Sequence, residues 1–430
     1  MPQVSTCGAD PVRARAPCKI PGMQRSTGRI LVSHAGALPR PDDLRDLLVA
    51  KESGKPYDEA VYQRRVREVI ADVVRKQLAT GIDVVNDGEE SKRSFSSYAR
   101  TRIKGFEERT VDISNEPPTI YMRDYADFPG FFGGGSTAFA GQSGLARSFT
   151  TTAARVFCTA PLEYVGHAAI QEDIDNLKQA LANLGPARPF SGGMGVSPIS
   201  NTQAFLPAVA PGTVEHWMTN EYYKTDEEFV YAIAEAMRPE YQAIVDAGFV
   251  LQIDDPDLGD GWQMFPEMSV ADYHKYAEMR IEALNHALRG IPEDRIRFHM
   301  CWGSHHGPHK HDLPLADFVD LILKVPAECY SIEAANTRHE HEWRVWQDVK
   351  LPDGKSLMPG VTGHTSDMIE HPRLIADRLI RYANVVGREN VIAGTDCGLG
   401  PRVGHAEIVW SKFEAMAEGA RIATRELWRR

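Results

Sequence analysis

Cysteine is scarce in this chain: Cys7, Cys18, Cys158, Cys301, Cys329 and Cys397 are the only six among 430 residues. They lie too far apart for a disulfide-stapled scaffold, and the pattern suits a reducing, cytoplasmic setting in which thiols are ligands or core residues. Long apolar runs are missing too, with no stretch of about 18 consecutive apolar residues, so no helical membrane span is expected. Positive charge is not in excess. The 48 Lys and Arg are outnumbered by 59 Asp and Glu, a formal net charge of −11, which excludes the basic footprint that nucleic acid demands. Segment 1–28 lacks an apolar h-region and reads as a flexible N-terminal arm, not a secretory signal. Two common catalytic signatures are also lacking. Gly133-Gly134-Gly135 is not followed by the Lys-Ser/Thr of a phosphate loop, and no Gly-x-Ser-x-Gly elbow occurs.

What is present is alternation. Short apolar runs at 29–34, 82–86, 190–195, 249–253, 296–300, 330–333, 356–360 and 391–394 read as strands. Between them lie amphipathic helical patterns at 62–79, 169–184, 226–247, 270–289, 315–323 and 373–386, with a closing helix at 405–428. Strand–helix units repeated in this way predict one α/β domain over 29–430, a (β/α)8 TIM barrel. Segment 106–155, rich in Gly, Pro, Ser, Thr and aromatics, breaks the alternation and reads as an insertion after the second strand unit, a lid or subdomain. The run 154–164 reads as an edge strand outside the barrel, and Gly192-Gly193-Met194-Gly195 as a glycine-rich strand end where a ligand comes close.

The polar clusters follow the strands, and in such a barrel the loops after the strands form the active face. His299-Met300-Cys301 ends the fifth run; residues two apart on a strand point to the same side, so both side chains can reach one ion. Glu333 ends the sixth run and Cys397 follows the eighth. One imidazole, two thiolates and a carboxylate make a complete tetrahedral zinc set. Each residue alone has an ordinary reading: Cys397 as a small buried hydrophobe, Glu333 as an ion-pair partner. Their joint position at strand ends favours the metal. His305, His306, His309 and His311 form a competing cluster just downstream, and His339, His341 and His364 are further histidines without a settled role. Soft thiolates favour the first set for zinc. Asp87 and Glu89 follow the second run, and Asp254 and Asp255 the fourth. Such acids are often helix caps, but on this face they can grip an ammonium group or shuttle a proton. Asp396 is placed to orient a metal ligand from behind.

Three stretches, Phe298-His299-Met300-Cys301-Trp302-Gly303, Ser331-Ile332-Glu333-Ala334-Ala335-Asn336 and Gly394-Thr395-Asp396-Cys397-Gly398, resemble the cobalamin-independent methionine synthase family. The single-barrel, type II branch, related to epoxyalkane:coenzyme M transferase, is the most similar. Gln252-Ile253-Asp254-Asp255-Pro256 is similar to that family's Gln-Ile-Asp-Glu-Pro signature, and Ser33–Pro41 to its first-strand element. The resemblance runs from about Arg29 to the C-terminus and is least comparable over 106–155. It implies a barrel of the methionine-synthase and uroporphyrinogen-decarboxylase type. The zinc ligands it implies are His299, Cys301, Glu333 and Cys397, with substrate contacts at Glu89, Asp254, Asp87 and Asn336, and His364 as the acid alongside Asp254. The implied activity is that of a 5-methyltetrahydropteroyltriglutamate–homocysteine S-methyltransferase. Ala37 departs from a common serine and Asp255 from the family's Glu, and there is no second barrel. The thiol could therefore be homocysteine, coenzyme M or glutathione, and the alkyl donor a folate, a corrinoid or an epoxide. Metal-assisted hydrolysis or lyase chemistry and a purely structural zinc site are the competing classes. Homo-oligomer formation is left open.

Overall fold

A computed structural model of the protein describes residues 22–117, 119–132, 152–184, 202–400 and 402–429. Eleven strands are formed among them. These are β1 (Leu31–Val32), β2 (Val84–Val85), β3 (Ile103–Asp112), β4 (Thr152–Tyr164), β5 (Gln203–Val209), β6 (Met218–Asn220), β7 (Val250–Asp254), β8 (Ile296–Met300), β9 (Cys329–Ile332), β10 (Ser356–Thr362) and β11 (Ile392–Thr395). Eight pair in the order β1-β11-β10-β9-β8-β7-β5-β2, every contact parallel. The sheet curls until its two edges nearly meet. Between β1 and β2 the seam is stitched by Asp83 N–H to Val32 O (2.8 Å) and Ser33 Oγ to Val84 O (3.0 Å). This is the expected (β/α)8 barrel. Residues of β7 through β10 are buried throughout, which is why these strands read as near-continuous apolar runs instead of an alternating pattern.

Several of the longer helices form where the sequence pairs a cap with a helical apolar stripe. Helix Glu59–Thr80 starts at Asp58, whose carboxylate accepts from Val61 N–H, and stops at Gly81, whose φ of 96° suits glycine. Its buried Tyr62, Val66, Val69, Ile70, Val73 and Gln77 recur every three or four residues. Thr225 and Ser269 cap Asp226–Asp246 and Val270–Ala287 in the same way.

Three expectations change. The third barrel strand is β5, at Gln203–Val209; the run 190–195 and its glycines lie outside the described residues. Residues 22–28, read as part of a flexible arm, are held at the base of the barrel. There Met23 N–H bonds to Asp294 O (2.9 Å), Ser26 Oγ to Val391 O (2.6 Å), and the Met23 side chain packs on Leu31, Cys329 and Met358. The segment 106–155 is partly regular: its start lies inside β3 and its end inside β4. These two strands pair as an antiparallel hairpin, with β6 added parallel to β4. The strand expected at 154–164 is β4, outside the barrel.

The short helix Met122–Asp127 from this segment docks on the active face. Arg123 lies over the Trp262 ring at 3.3 Å and donates to the carbonyls of Trp262 (2.8 Å), Phe265 (2.6 Å) and Met268 (2.9 Å). Among the described residues no helix is long and apolar enough to cross a membrane.

Candidate active site

The parallel register places β8 beside β9 with His299 opposite Ser331. His299 and Arg297 share one side of β8 because side chains alternate along a strand. The Arg297 guanidinium donates to Gln252 Oε1 (2.7 Å), Ser33 Oγ (2.9 Å) and His34 O (3.1 Å), a buried cation that ties β1, β7 and β8 together beneath the site. Burial pushes its pKa down to about 10.

Above it, His299, Cys301 and Cys397 converge, their ligand atoms all within 4.8 Å of one another. The two sulfurs are 4.0 Å apart although 96 residues separate them in sequence. A tetrahedral ion with metal–sulfur distances of about 2.3 Å would hold two sulfurs roughly 3.8 Å apart. His299 Nδ1 is 2.9 Å from Ser331 Oγ, while Nε2 is buried without a hydrogen-bond partner. Ser304 Oγ also donates to Cys397 Sγ (3.2 Å). The hydrogen bond from the Cys301 thiol, with the His364 and His299 rings close by, holds the Cys397 thiol well below its ordinary range despite burial. Two soft sulfurs and a buried imidazole with Nε2 left unpartnered fit a zinc-class ion.

Glu333 stands next to this trio, in a second buried group with His364 and Asp396 whose ligand atoms lie within 4.8 Å of one another. Its carboxylate accepts from Trp302 N–H (2.8 Å) and from Asn336 Nδ2 (2.9 Å), so Asn336 engages Glu333. Asp396 Oδ1 accepts from the N–H groups of Ala334 (2.8 Å) and Ala335 (2.7 Å), leaving Oδ2 unpartnered. His364, just beyond β10, is fully buried with both ring nitrogens unpartnered. Burial keeps its pKa below the ordinary value.

The carboxylates form the other wall. Asp254 ends β7 and accepts from Gln252 Nε2 (2.7 Å). Glu89 sits in the left-handed region (φ 58°), against Gly36, where an added Cβ would lie 2.5 Å from Glu89 Oε1. Burial, with Asp254 and Asp87 nearby, pushes Glu89 up to about 8. Burial pushes Asp254 up to about 6, against the pull of His299, and Asp87 up to about 6. Asp87 Oδ1 accepts from Glu89 N–H (3.0 Å), which braces the strained residue. Asp255 instead accepts from Thr213 Oγ1 (3.0 Å).

The loop histidines fold into a separate network. His305 is stacked between Tyr121 (3.7 Å) and His309 (4.0 Å). His309 and His339 both contact Asp312, at 2.6 and 3.0 Å. His311 pairs with Asp127 of the docked helix (2.8 Å). Ser331, Gln252 and Gly36 fall within the family-like stretches but carry no assigned role in the sequence reading, and Ser304 and Tyr121 are absent from it. Their roles depend on register and on docking, which single-chain patterns do not carry.

Residues 208–421 match the family model described as "Cobalamin-independent synthase, Catalytic domain". Curated relatives include methionine synthases of Saccharolobus islandicus (23% identical, covering 92% of this chain and 95% of the relative) and Sulfurisphaera tokodaii (22%, covering 91% and 92%). Solved structures with the same fold include a B12-independent methionine synthase from Shewanella sp. W3-18-1 in complex with selenomethionine. It has a TM-score of 0.66 and 16% identity, covering 93% of this chain and 99% of that one. A putative vitamin-B12-independent methionine synthase from Listeria monocytogenes has a TM-score of 0.60 and 17% identity, covering 94% and 99%.

Proposed function

We propose, from the premise that this chain belongs to the cobalamin-independent methionine synthase family, that it is a cytoplasmic zinc-dependent S-methyltransferase acting on homocysteine or a similar thiol. The observation that carries this reading is the 4.0 Å approach of Cys301 to Cys397 beside an unpartnered, buried His299 Nε2. His299, Cys301 and Cys397 would hold the ion, with Glu333 as the fourth, exchangeable ligand. Bound there, zinc supplies a thiolate at neutral pH from a substrate thiol that titrates near about 8.5 in water.

The chain's own groups do the rest. Glu89 and Asp254 grip the ammonium end of the substrate, and Asp87 holds Glu89 in place. Ser331 keeps the His299 ring turned so that Nε2 faces the sulfurs. Asn336 and Trp302 N–H hold Glu333 when it is not a ligand. In the transfer, a carbon–sulfur bond forms to the donor methyl, the bond between that methyl and its carrier breaks, and the carrier gains a proton. The delivery of that proton is assigned to His364, whose buried ring nitrogens have no other partner.

Replacing Cys397 or His299 by Ala is expected to abolish both stoichiometric zinc and activity while the barrel stays folded, since the buried core does not rest on these side chains. Zinc contents equal to wild type in both variants would overturn the assignment. Zinc-edge X-ray absorption with homocysteine, coenzyme M and glutathione in turn identifies the acceptor by the appearance of a further sulfur scatterer.

A further inference from the structure

The histidine network beside this site has a polarity of its own. His309 Nδ1 and His339 Nε2 both face Asp312 Oδ2, at 2.6 and 3.0 Å, and the three ligand atoms lie within 4.8 Å of one another. Each group is held from its far side. His309 Nε2 donates to the backbone carbonyl of His305 (3.1 Å), His339 Nδ1 to Glu342 Oε2 (3.0 Å), and Asp312 Oδ1 accepts from Gln263 Nε2 (2.9 Å). Histidines bound to metals are held in this way, the outer N–H on a carbonyl or carboxylate and the inner lone pair turned to the ion.

The outer partners accept only, so both outer nitrogens carry protons. Neutral rings would then aim two lone pairs at one carboxylate oxygen, a repulsive arrangement. Either each ring takes a second proton, which puts two imidazolium ions around one buried oxygen, or a cation stands among the three. All three residues are buried, at 5% exposure or less. His309 also has a φ of 53°, a conformation that a non-glycine residue keeps only where its surroundings enforce it.

We propose that His309, Asp312 and His339 form a second metal site, a two-histidine, one-carboxylate set for a divalent first-row cation, distinct from the cysteine-bearing site. Nitrogen and oxygen donors without sulfur suit zinc, cobalt, nickel, manganese or ferrous iron. The site is placed to brace the main one. Trp302, which follows Cys301, stacks on His339 at 3.7 Å, and its backbone N–H holds Glu333. A cation there would lock the loop that carries Ser304 and His305.

The test uses the full chain, stripped with chelator, reloaded with Co2+ or Zn2+ and desalted. Two ions per chain are expected in the wild type. One is expected in a His309→Gln/His339→Gln variant, and one in a Cys301→Ser/Cys397→Ser variant, whose cobalt X-ray absorption should show nitrogen and oxygen scatterers alone. The cysteine variant leaves all three proposed ligands intact, and adding His339→Gln to it should remove the remaining ion; an ion that persists there belongs to Glu333, His364 and Asp396 and overturns the proposal. A folded cysteine variant that binds no ion overturns the proposal. A wild type holding a single ion with sulfur neighbours also overturns it and leaves the methyltransferase reading intact. A single ion without sulfur neighbours overturns the cysteine-bearing set instead.

Discussion

Replacing Ser331 by Ala tests whether the main site is organised for a metal or only resembles one. The hydroxyl is fully buried and lies 2.9 Å from His299 Nδ1, while the other ring nitrogen faces the sulfur pair. For Nε2 to offer a lone pair, Nδ1 must carry the proton and Ser331 Oγ must accept it. Without that oxygen the buried Nδ1–H loses its partner, and the ring can turn or exchange tautomers. Removing such an outer partner typically lowers metal affinity about 10- to 100-fold, or roughly 1.4–2.8 kcal/mol at 1.4 kcal/mol per tenfold. This agrees with the about 1–3 kcal/mol for leaving a buried donor unsatisfied. The metal-free fold should change far less, because the side chain loses a single atom and no apolar contact. Competition against a chelator of known affinity measures the first quantity, and thermal unfolding of metal-free protein controls for the second. Ser331→Thr, which keeps the oxygen, should bind nearly as wild type. If Ser331→Ala binds zinc within twofold of wild type while remaining folded, the hydrogen bond does not orient a ligand and the argument from the unpartnered Nε2 fails.

Two further outcomes concern the carboxylate wall. Gly36→Ala would set a Cβ 2.5 Å from Glu89 Oε1 at a φ of 138°, so Glu89 must move; steady-state kinetics should show KM for the thiol raised about tenfold or more (~1.4 kcal/mol) with zinc content unchanged, and an unaltered KM would separate Glu89 from substrate binding. Glu89, pushed up to about 8 by burial, is mostly protonated at pH 7; an ammonium beside it favours the carboxylate, so binding of an amino-acid thiol should release protons and tighten as pH rises from about 6 to 8. Calorimetry in buffers of different ionisation enthalpy reads that release directly, and a binding heat independent of buffer would contradict it.

The barrel was legible because most of its strands are buried on both faces. Continuous apolar runs at β7, β8, β9 and β11, with capped amphipathic helices at Val270–Ala287 after β7 and Ala406–Leu427 after β11, leave little choice of architecture, although the helices after β8 and β9 are short and uncapped. β5 was less legible. Gln203–Val209 follows closely on a glycine-rich stretch, and a proline within it masks its strand character. The residues at the base, 22–28, look like a polar arm because their stabilising contacts are hydrogen bonds to Asp294, Val391 and Gln203, and no periodicity announces such bonds. In the site, chemistry-bearing side chains could be named from residue type and strand end. Their partners could not. That Ser331 faces His299 follows from the β8–β9 register, and that Tyr121 caps His305 follows from Arg123 anchoring its helix on Trp262.

The placement of the two walls also bears on which thiol enters. Sulfur ligands lie on the β8 and β11 side and carboxylates on the β2 and β7 side, with Asp254 close enough for its charge to act on His299. On the proposed reading, a substrate with a thiol at one end and an ammonium at the other spans these walls and satisfies both. A thiol ending in a sulfonate, such as coenzyme M, would bring its negative charge against Glu89 and Asp254. Glu89, which burial already favours in its neutral form, would keep its proton, but Asp254 would have to take one up, and Lys92 is committed to the Pro207 carbonyl at 2.6 Å. Buried like charges repel strongly because little water screens them. On the proposed reading the carboxylate wall would select by exclusion as much as by attraction, with an amino-acid thiol as the acceptor.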